Sequence, residues 1–360
     1  MAIRRGLDSL YRIARDPRVF DEYGSDLLNC FYFIASTSDD RDLRRRSQEM
    51  GVERARHWRR SCPAPPPDAD ADTLIDLVYG SLAAGWLGVR DDEFERQLRA
   101  AAWRIPPCDF LWFDPAAEPP PADVPEQCDC GLWNKRGRKV CRGCRKRLSM
   151  MTRYRVWYYT LMQTYTADRH GFNFGARYAD VLKWLPEMRP YRASEGGANE
   201  DFYDTVYAVT HIVYTLNDYS IYQLSPRWLP DEFKFLKTNL EEAVAIDDPE
   251  MMGEFLDALR AFGLTDEHPL IRRGLDYLLS CQNADGSWGE ADEDDLYNQY
   301  HPTWTAIDGL REYRWRGRGL SFPELLPSIR GWAKKRPRRA RQRRSSGGEP
   351  AAGKSHEVRS

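Results

Sequence analysis

Apolar residues recur every three to four positions along most of the chain, which is the spacing of one face of an α-helix. The N-terminal examples are Leu7, Leu10, Tyr11 and Ile13, then Leu27, Leu28, Phe31, Phe33 and Ile34, then Leu74, Ile75, Leu77, Val78, Leu82 and Trp86. The pattern covers residues 8–101 and returns over residues 150–313, where the apolar faces are rich in aromatic residues. The alternation of a β-strand is nearly absent. The chain is therefore predicted to be all-α.

Two proline-rich segments, at residues 63–67 and 119–125, interrupt this pattern, and the second leads directly into a cluster of cysteines. We predict four parts, which are an N-terminal helical part (1–118), an inserted knuckle (119–149), a set of helical repeats (150–332) and a basic tail (333–360). The tail combines many arginines with Ser, Gly, Glu and Pro, so it cannot bury apolar surface and is expected to be disordered.

The overall charge and hydropathy narrow the class of protein. The formal charge is −2, so the overall charge does not favour nucleic acid as a partner, and the basic residues are local. The longest largely apolar run, residues 27–35, is far shorter than a bilayer span, and the N-terminus has no signal-peptide pattern. We therefore expect a soluble, cytoplasmic protein without a membrane span, in which cysteines are thiols or metal ligands rather than disulfides.

The cysteine cluster consists of two close pairs, Cys128-x-Cys130 and Cys141-x-x-Cys144, in a glycine-containing segment. Four thiolates at such spacing are typical of a closed tetrahedral Zn²⁺ site. Because a closed shell leaves no position for a substrate, we predict a structural zinc that folds an insertion too small to have its own core.

The same segment carries eight basic residues, namely Lys135, Arg136, Arg138, Lys139, Arg142, Arg145, Lys146 and Arg147. Trp133 is the only aromatic residue there for stacking on bases, so nucleic acid is not the expected partner. A protein partner at the basic knuckle, or docking of this face on the helical part of the chain, stays open.

Residues 272–310 contain one helical segment that ends in Gln-x-x-x-Gly-x-Trp-Gly and a second helical segment after an acidic loop. The motif residues are Gln282, Gly286, Trp288 and Gly289. This segment resembles the QW repeat of squalene cyclases, terpene cyclases and protein prenyltransferase β subunits. The resemblance implies an α/α-toroid, in which parallel inner helices surround a cavity and their N-terminal ends ring the mouth where the active site lies.

Internal self-similarity extends the resemblance. Three segments repeat a candidate ligand followed seven positions later by an aspartate: His211 with Asp218, Glu250 with Asp257, and His301 with Asp308. A fourth candidate, His170, precedes a segment that is predicted to be helical, residues 172–185, and has no such aspartate.

By the resemblance, His170, His211, Glu250 and His301 face one cavity, and imidazole with carboxylate suits a divalent transition metal. We expect His211, Glu250 and His301 to bind Fe²⁺, Zn²⁺ or Mn²⁺, with His170 as a further ligand or a general base. The alternative, that the histidines are helix caps or surface residues, stays open.

The three repeated aspartates, Asp218, Asp257 and Asp308, are candidate catalytic residues together with His170. An aspartate within a helix is unfavourable by propensity, so its recurrence needs a reason. It indicates either hydrogen bonds that orient the metal ligands or salt bridges between neighbouring helices, and both stay open.

The chain also departs from the family that it resembles. The Asp-x-Cys zinc ligands of prenyltransferases are replaced by Asp248-Pro-Glu250, so thiol activation is not expected. The acidic string at residues 292–295 fits the Asp-x-Asp-Asp pattern of alkene-protonating cyclases, but it lies in the loop after Trp288 and is interpreted as a solvated loop.

Three functional hypotheses follow. The first is a metal-dependent enzyme that acts on a hydrophobic or carrier-bound small molecule, for instance by oxidative chemistry of the non-haem-iron type. The second is an isoprenoid cyclase or prenyltransferase, which would need a catalytic acid or diphosphate-binding residues inside the barrel, and neither is evident in the sequence. The third is a non-catalytic zinc-binding scaffold for a protein or nucleic acid, which predicts that His211, Glu250 and His301 point apart.

Overall fold

A computed structural model describes residues 1–290 and 295–334 of the chain. Most of the acidic string of residues 292–295 and almost all of the basic tail lie outside the described residues. Within the described ranges the regular structure is helical, with isolated β-bridges and no β-strand. The prediction of an all-α protein is confirmed.

The first group of helices precedes the cysteine insertion: α1 (Ala2–Ile13), α2 (Pro17–Thr37), α3 (Arg41–Ser61), α4 (Ala71–Trp86), α5 (Asp92–Ala102) and α6 (Pro107–Phe110). The second group follows it: α7 (Arg153–His170), α8 (Tyr178–Leu182), α9 (Leu185–Met188), α10 (Phe202–Leu216), α11 (Pro230–Ala245), α12 (Pro249–Ala261), α13 (Pro269–Ser280), α14 (Leu296–Leu310) and α15 (Leu326–Lys334), with a 3₁₀ turn at Pro323–Leu325. The long helix expected over residues 172–185 is wrong, because α7 ends at His170 and only short helices follow.

Local sequence explains where these helices begin and end. The carboxylates of Asp40, Asp70 and Asp91 each accept a hydrogen bond from a free N–H of the following first turn, at α3, α4 and α5. Thr152 does the same for α7 with its hydroxyl. Gly171 ends that helix in the left-handed conformation (φ 71°), which a glycine adopts without strain.

Six helices, α2, α4, α7, α10, α12 and α14, contribute side chains to one central cavity. Contacts between neighbouring helices occur in the same order along both members of each pair, so the six run in the same direction. The contacts are Ser25–Asp76 and Tyr32–Trp86 for α2–α4, Tyr79–Thr166 and Trp86–His170 for α4–α7, Thr152–Asp204 and Tyr158–His211 for α7–α10, Tyr207–Glu250 and Thr210–Glu254 for α10–α12, Glu250–His301 and Asp257–Asp308 for α12–α14, and Tyr300–Asp26 and Arg311–Thr37 for α14–α2. Helices α1, α3, α5, α8, α11 and α13 pack against these six.

The segment between α13 and α14, which contains the glutamine, glycine and tryptophan motif, packs against α1. Gln282 donates a hydrogen bond from Nε2 to the carbonyl of Ala2 (3.0 Å), and the buried Trp288 indole packs on Gly6. A Cβ at Gly286 would lie 2.6 Å from the carbonyl oxygen of Arg5, and its φ of 98° also requires glycine. The motif therefore joins the two ends of the helical sequence.

No helix in residues 1–290 and 295–334 is long and apolar enough to cross a membrane.

Candidate functional site

The four cysteines of the insertion lie together between α6 and α7. Their sulfur atoms are all within 4.8 Å of one another, with Cys128 Sγ 3.4 Å from Cys144 Sγ and Cys130 Sγ 3.7 Å from Cys141 Sγ. A tetrahedral ion with metal–sulfur bonds of about 2.3 Å places its ligands about 3.8 Å apart, so the cluster has the size of a metal site. The cluster can hold a metal ion.

Hydrogen bonds hold the sulfur of Cys141 in place. The amide Nδ2 of Asn134 lies 3.5 Å from this sulfur and the backbone N–H of Gly143 lies 3.4 Å from it. The backbone N–H of Cys144, with these two donors, lowers the pKa of Cys141 to about 6. A thiolate is the form that binds a metal, so the local backbone already favours the ligand state.

The base of the insertion packs on α7. Val124, Met151 and Val156 form a small buried cluster with Phe113, and the N–H of Met151 donates to the carbonyl of Val124 (2.8 Å). The insertion joins α7 at its first turn. It therefore lies at the end of the cavity where the N-termini of the six cavity-lining helices, here called the inner helices, meet.

The central cavity has a volume of about 1220 Å³. That is large for a small-molecule site, for which about 300–1,000 Å³ is usual. Its aromatic lining residues are Tyr23, Tyr32, Phe33, Tyr79, Trp86, Trp112, Trp133, Tyr158, Tyr159, Tyr165, Tyr207, Tyr214, Tyr219, Tyr222, Tyr297 and Trp304. The cavity can hold a sizeable apolar molecule.

Buried carboxyl groups project into this aromatic cavity. Glu254 and Asp257 line it from α12, and both are almost fully buried. Burial raises the pKa of Glu254 to about 8. Burial, with the neighbouring Asp308 charge, raises the pKa of Asp257 to about 7. On the opposite wall, burial raises the pKa of Asp76 to about 6. Of these carboxyl groups, Glu254 is the one that stays mainly protonated at pH 7.

The hydroxyl of Thr210 donates a hydrogen bond to Oε2 of Glu254 at 2.5 Å. The next residue, His211, lines the cavity from α10, and its Nδ1 lies 2.8 Å from the carbonyl oxygen of Tyr207. A carbonyl only accepts, so Nδ1 carries the hydrogen and Nε2 has a free lone pair. Burial lowers the pKa of His211 to about 4, so this ring is neutral at pH 7.

Of the predicted barrel ligands, Glu250 and His301 lie in contact. His301 Nδ1 is 3.1 Å from Glu250 Oε1, and Tyr207 donates its hydroxyl to the same oxygen at 2.6 Å. Burial disfavours both charges, but each partner outweighs it, so the pKa of His301 is raised and that of Glu250 is lowered. The two groups therefore form a charged pair.

His211 lies one helical turn away from the position that the repeat alignment gave it. At the level of Glu250, α10 presents Tyr207, and His211 lies beside the aromatic ring of Tyr158, with 5.1 Å between ring centroids. His211 is nevertheless close enough for the charges of His301 and Glu250 to affect it. Within residues 1–290 and 295–334, only the four cysteines bring three or more candidate ligand atoms within 4.8 Å of one another. The barrel metal site stays a prediction.

His170 lies at the other end of the cavity from the insertion. It is the last residue of α7 rather than the residue before an inner helix, and its ring lies against Trp86, with 5.0 Å between ring centroids. Burial lowers the pKa of His170 to about 4. His170 lines the same cavity as His211 and His301, as expected, but it ends a helix instead of preceding one and lies apart from Glu250 and His301.

The three repeated aspartates have different surroundings. Asp218 lies after the end of α10 with a φ of 60°, so the assumption that it is within a helix is wrong. Its carboxylate pairs with Arg169 (2.8 Å) across neighbouring helices. Asp257 accepts a hydrogen bond from the hydroxyl of Ser220 (3.1 Å). Asp308 pairs with Arg311 (2.7 Å) within its own chain segment.

Glu254 was not among the residues singled out from sequence. The signal was present, since Glu250, Glu254 and Asp257 are spaced as one face of a helix, and three acids on one face beside apolar neighbours are unusual. That spacing cannot show that the face points into a cavity instead of into water.

A comparison of the chain with protein-family models, with curated proteins and with solved structures gave no match.

Proposed function

We propose that the chain is an α/α-toroid of the prenyltransferase and terpene-cyclase type, and that it isomerises or cyclises an unsaturated hydrophobic small molecule by proton transfer. The observation that carries this proposal is Glu254, a buried carboxyl group in an aromatic-lined cavity. The motif around Trp288 and the six parallel helices support the family resemblance.

Glu254 is the proposed general acid. A carboxyl group buried among apolar and aromatic side chains stays neutral at a pH where an exposed glutamate is ionised, and so it can donate a proton. In the first step its O–H bond breaks, and the π electrons of a substrate double bond form a new C–H bond. Glu254 becomes a carboxylate, and the neighbouring substrate carbon becomes a cation.

Aromatic faces stabilise such a cation without reacting with it. Tyr214 and Trp304 line the cavity on the helices flanking Glu254, and a cation over an aromatic face gains about 0.5–2 kcal/mol.

His211 is the proposed base for the final step. Attack by a second double bond on the cation forms the ring bond in a cyclisation, and loss of a proton from an adjacent carbon to His211 Nε2 forms the last double bond. One proton enters and one leaves, so substrate and product are isomers and no oxidant is needed. A neutral imidazole beside a neutral carboxylic acid gives the two groups opposite roles.

Linear polyprenes test this function. Farnesol, geranylgeraniol and squalene, with their diphosphate or epoxide derivatives, would be incubated with the protein in D₂O, and the products analysed by gas chromatography and mass spectrometry. We expect an isomer of the substrate that carries deuterium with wild type and none with Glu254→Gln. Glu241→Gln, an exposed glutamate on α11, should keep wild-type activity. Turnover that survives in Glu254→Gln, or no turnover of any of these substrates, would contradict the proposal.

We further propose that the ion of the four-cysteine cluster is Zn²⁺ in a structural role, on the basis of its four-thiolate ligand set. The second candidate function is metal-dependent catalysis in the cavity, favoured by the contact between Glu250 and His301, with His211 as the third ligand. The non-catalytic scaffold hypothesis has less support, because Glu250 and His301 do not point apart.

Elemental analysis by inductively coupled plasma mass spectrometry separates these possibilities. We expect one zinc per chain in wild type, lost in Cys141→Ala/Cys144→Ala and kept in His211→Ala/His301→Ala. A second metal, lost only with the histidines, would favour the metalloenzyme over the proton-transfer enzyme. Retention of zinc in the cysteine variant would refute the four-thiolate site.

A further inference from the structure

Trp133 is an apolar side chain in an unusual place. It lies in the cysteine knuckle, three residues after Cys130, and it is 38 % exposed, yet it lines the central cavity that the helices form. A single exposed apolar side chain is ordinary on a protein surface, so the informative observation is that this ring lines the cavity. Its position therefore suggests an interaction with a molecule in the cavity.

A chain of aromatic contacts connects Trp133 with α7. The ring of Trp112 lies between Trp133 and Tyr159, at centroid distances of 6.2 Å and 5.7 Å. Glu126 and Gln127, which directly precede Cys128, also line the cavity. Glu126 pairs with Arg155 of α7 at 2.7 Å. The knuckle thus forms part of the cavity wall.

The cysteine cluster fixes this wall. Asn134, adjacent to Trp133, lies with its amide Nδ2 3.5 Å from Cys141 Sγ and accepts a hydrogen bond on Oδ1 from the N–H of Arg142 (2.9 Å). The buried apolar cluster around the cysteines consists of Cys128, Cys141 and Leu148, so two of the three members of this cluster are ligand candidates. A segment with so little other core depends on its metal for a fixed structure.

We infer that the four-cysteine knuckle is a metal-organised rim of the substrate cavity, and that Trp133 contacts the apolar end of the bound molecule. This inference rests on the proposed function in so far as the cavity is the substrate site. The knuckle is then a specificity-determining element in addition to a folding unit.

Binding of the hydrophobic dye 1-anilinonaphthalene-8-sulfonate tests the inference without turnover. The dye would be titrated into full-length protein in four forms: wild type, Trp133→Ala, Trp103→Ala and wild type treated with a chelator. Trp103, at the end of α5, is 74 % exposed and does not line the cavity, so it is the matched control. Met162→Trp, which adds bulk to a lining residue, shows whether the dye occupies the cavity.

We expect Trp133→Ala and metal removal each to weaken dye binding by about five- to tenfold, as for the loss of one aromatic contact. Trp103→Ala should bind as wild type does, and zinc added back should restore the chelated protein. Far-UV circular dichroism should stay unchanged in all forms, because the helices do not depend on the knuckle.

Unchanged binding in Trp133→Ala would overturn the contact, and unchanged binding after metal removal would overturn the role of the metal. Binding that persists in Met162→Trp would place the dye outside the cavity and count against a hydrophobic site there. Glu254→Gln separates this inference from the proposed reaction, because it should lose turnover and keep dye binding. A rim that fails while the deuterium assay succeeds would leave the proton-transfer proposal intact.

Discussion

A single carboxyl group, Glu254, concentrates most of the unusual chemistry of this chain. It is almost fully buried in α12, accepts a hydrogen bond from Thr210, and lies close to the charges of Glu250 and His301. Burial is the largest of these effects, because an ionised carboxylate loses its hydration inside the protein. The surroundings of Glu254 keep this group neutral. Its burial therefore lowers the free energy of unfolding at a pH where the unfolded chain would ionise it.

We expect the free energy of unfolding to depend on pH because of Glu254. The pKa of Glu254 is raised from 4.5 to about 8, so between these values the folded protein holds a proton that the unfolded chain releases. Stability then falls as the pH rises through this window, by up to about 1.4 kcal/mol per pH unit from this one group. Urea unfolding of Glu254→Gln at pH 5, 6, 7 and 8 should show a shallower fall than wild type. Glu241→Gln is the control, and equal slopes in wild type and Glu254→Gln would show that Glu254 ionises normally.

At the scale of elements, α12 and α14 pack with their backbones in contact. A Cβ built on Gly253 would lie 2.3 Å from the carbonyl oxygen of Thr305, and Gly309 lies on the other side of the same contact. This close approach brings Glu250 beside His301 and Asp257 beside Asp308. The polar residues of the cavity are therefore positioned by glycines that face away from the chemistry.

Replacing Gly253 with alanine should separate these helices. We expect Gly253→Ala to lower the free energy of unfolding by about 1–3 kcal/mol, the usual cost of overpacking. Gly331→Ala in α15 is the matched control, because a Cβ there meets no atom of the described residues within 4 Å and alanine favours a helix by up to about 1 kcal/mol. Urea midpoints measure both, and a Gly253→Ala protein as stable as wild type would show that the helix contact relaxes easily.

At the scale of the whole molecule, Arg311 connects the last inner helix with the first. Its guanidinium pairs with Asp308 and donates to Thr37 Oγ1 (2.8 Å) and Ser38 Oγ (3.1 Å) at the end of α2. The side chain is almost completely buried, and Asp257 lies within reach of its charge. It therefore both closes the arrangement of helices and stabilises buried carboxylates.

Removal of the Arg311 guanidinium should strongly lower the free energy of unfolding. Arg311→Ala leaves Asp308 and Asp257 buried without a positive partner, and breaking a buried ion pair costs about 3–5 kcal/mol. Arg314→Ala removes an exposed arginine three residues on, whose side chain makes one long hydrogen bond to a described residue, and should change stability little. The defect of Arg311→Ala should shrink as the pH falls and the carboxyl groups become neutral. A small effect in urea unfolding at pH 7 would mean that the contact with α2 contributes little to closure.

The amino-acid sequence by itself determined the helices, their caps and the cysteine cluster. These features depend on residues close together in the chain: the carboxylate of Asp70 reaches its own first turn, and Cys128 and Cys144 are joined by a short loop. The motif around Trp288 also acts locally, although its partner, the segment from Ala2 to Gly6, could not be read from it.

Only the tertiary structure decided the relative positions of helices. Periodicity shows which residues share one face of a helix, but it does not fix the axial offset between neighbouring helices. That offset places Tyr207 instead of His211 beside Glu250. Periodicity also cannot show which end of a helix a residue occupies in the assembly, which is why His170 lies apart. The raised pKa of Glu254 also depends on the tertiary structure, because several helices together remove its side chain from water.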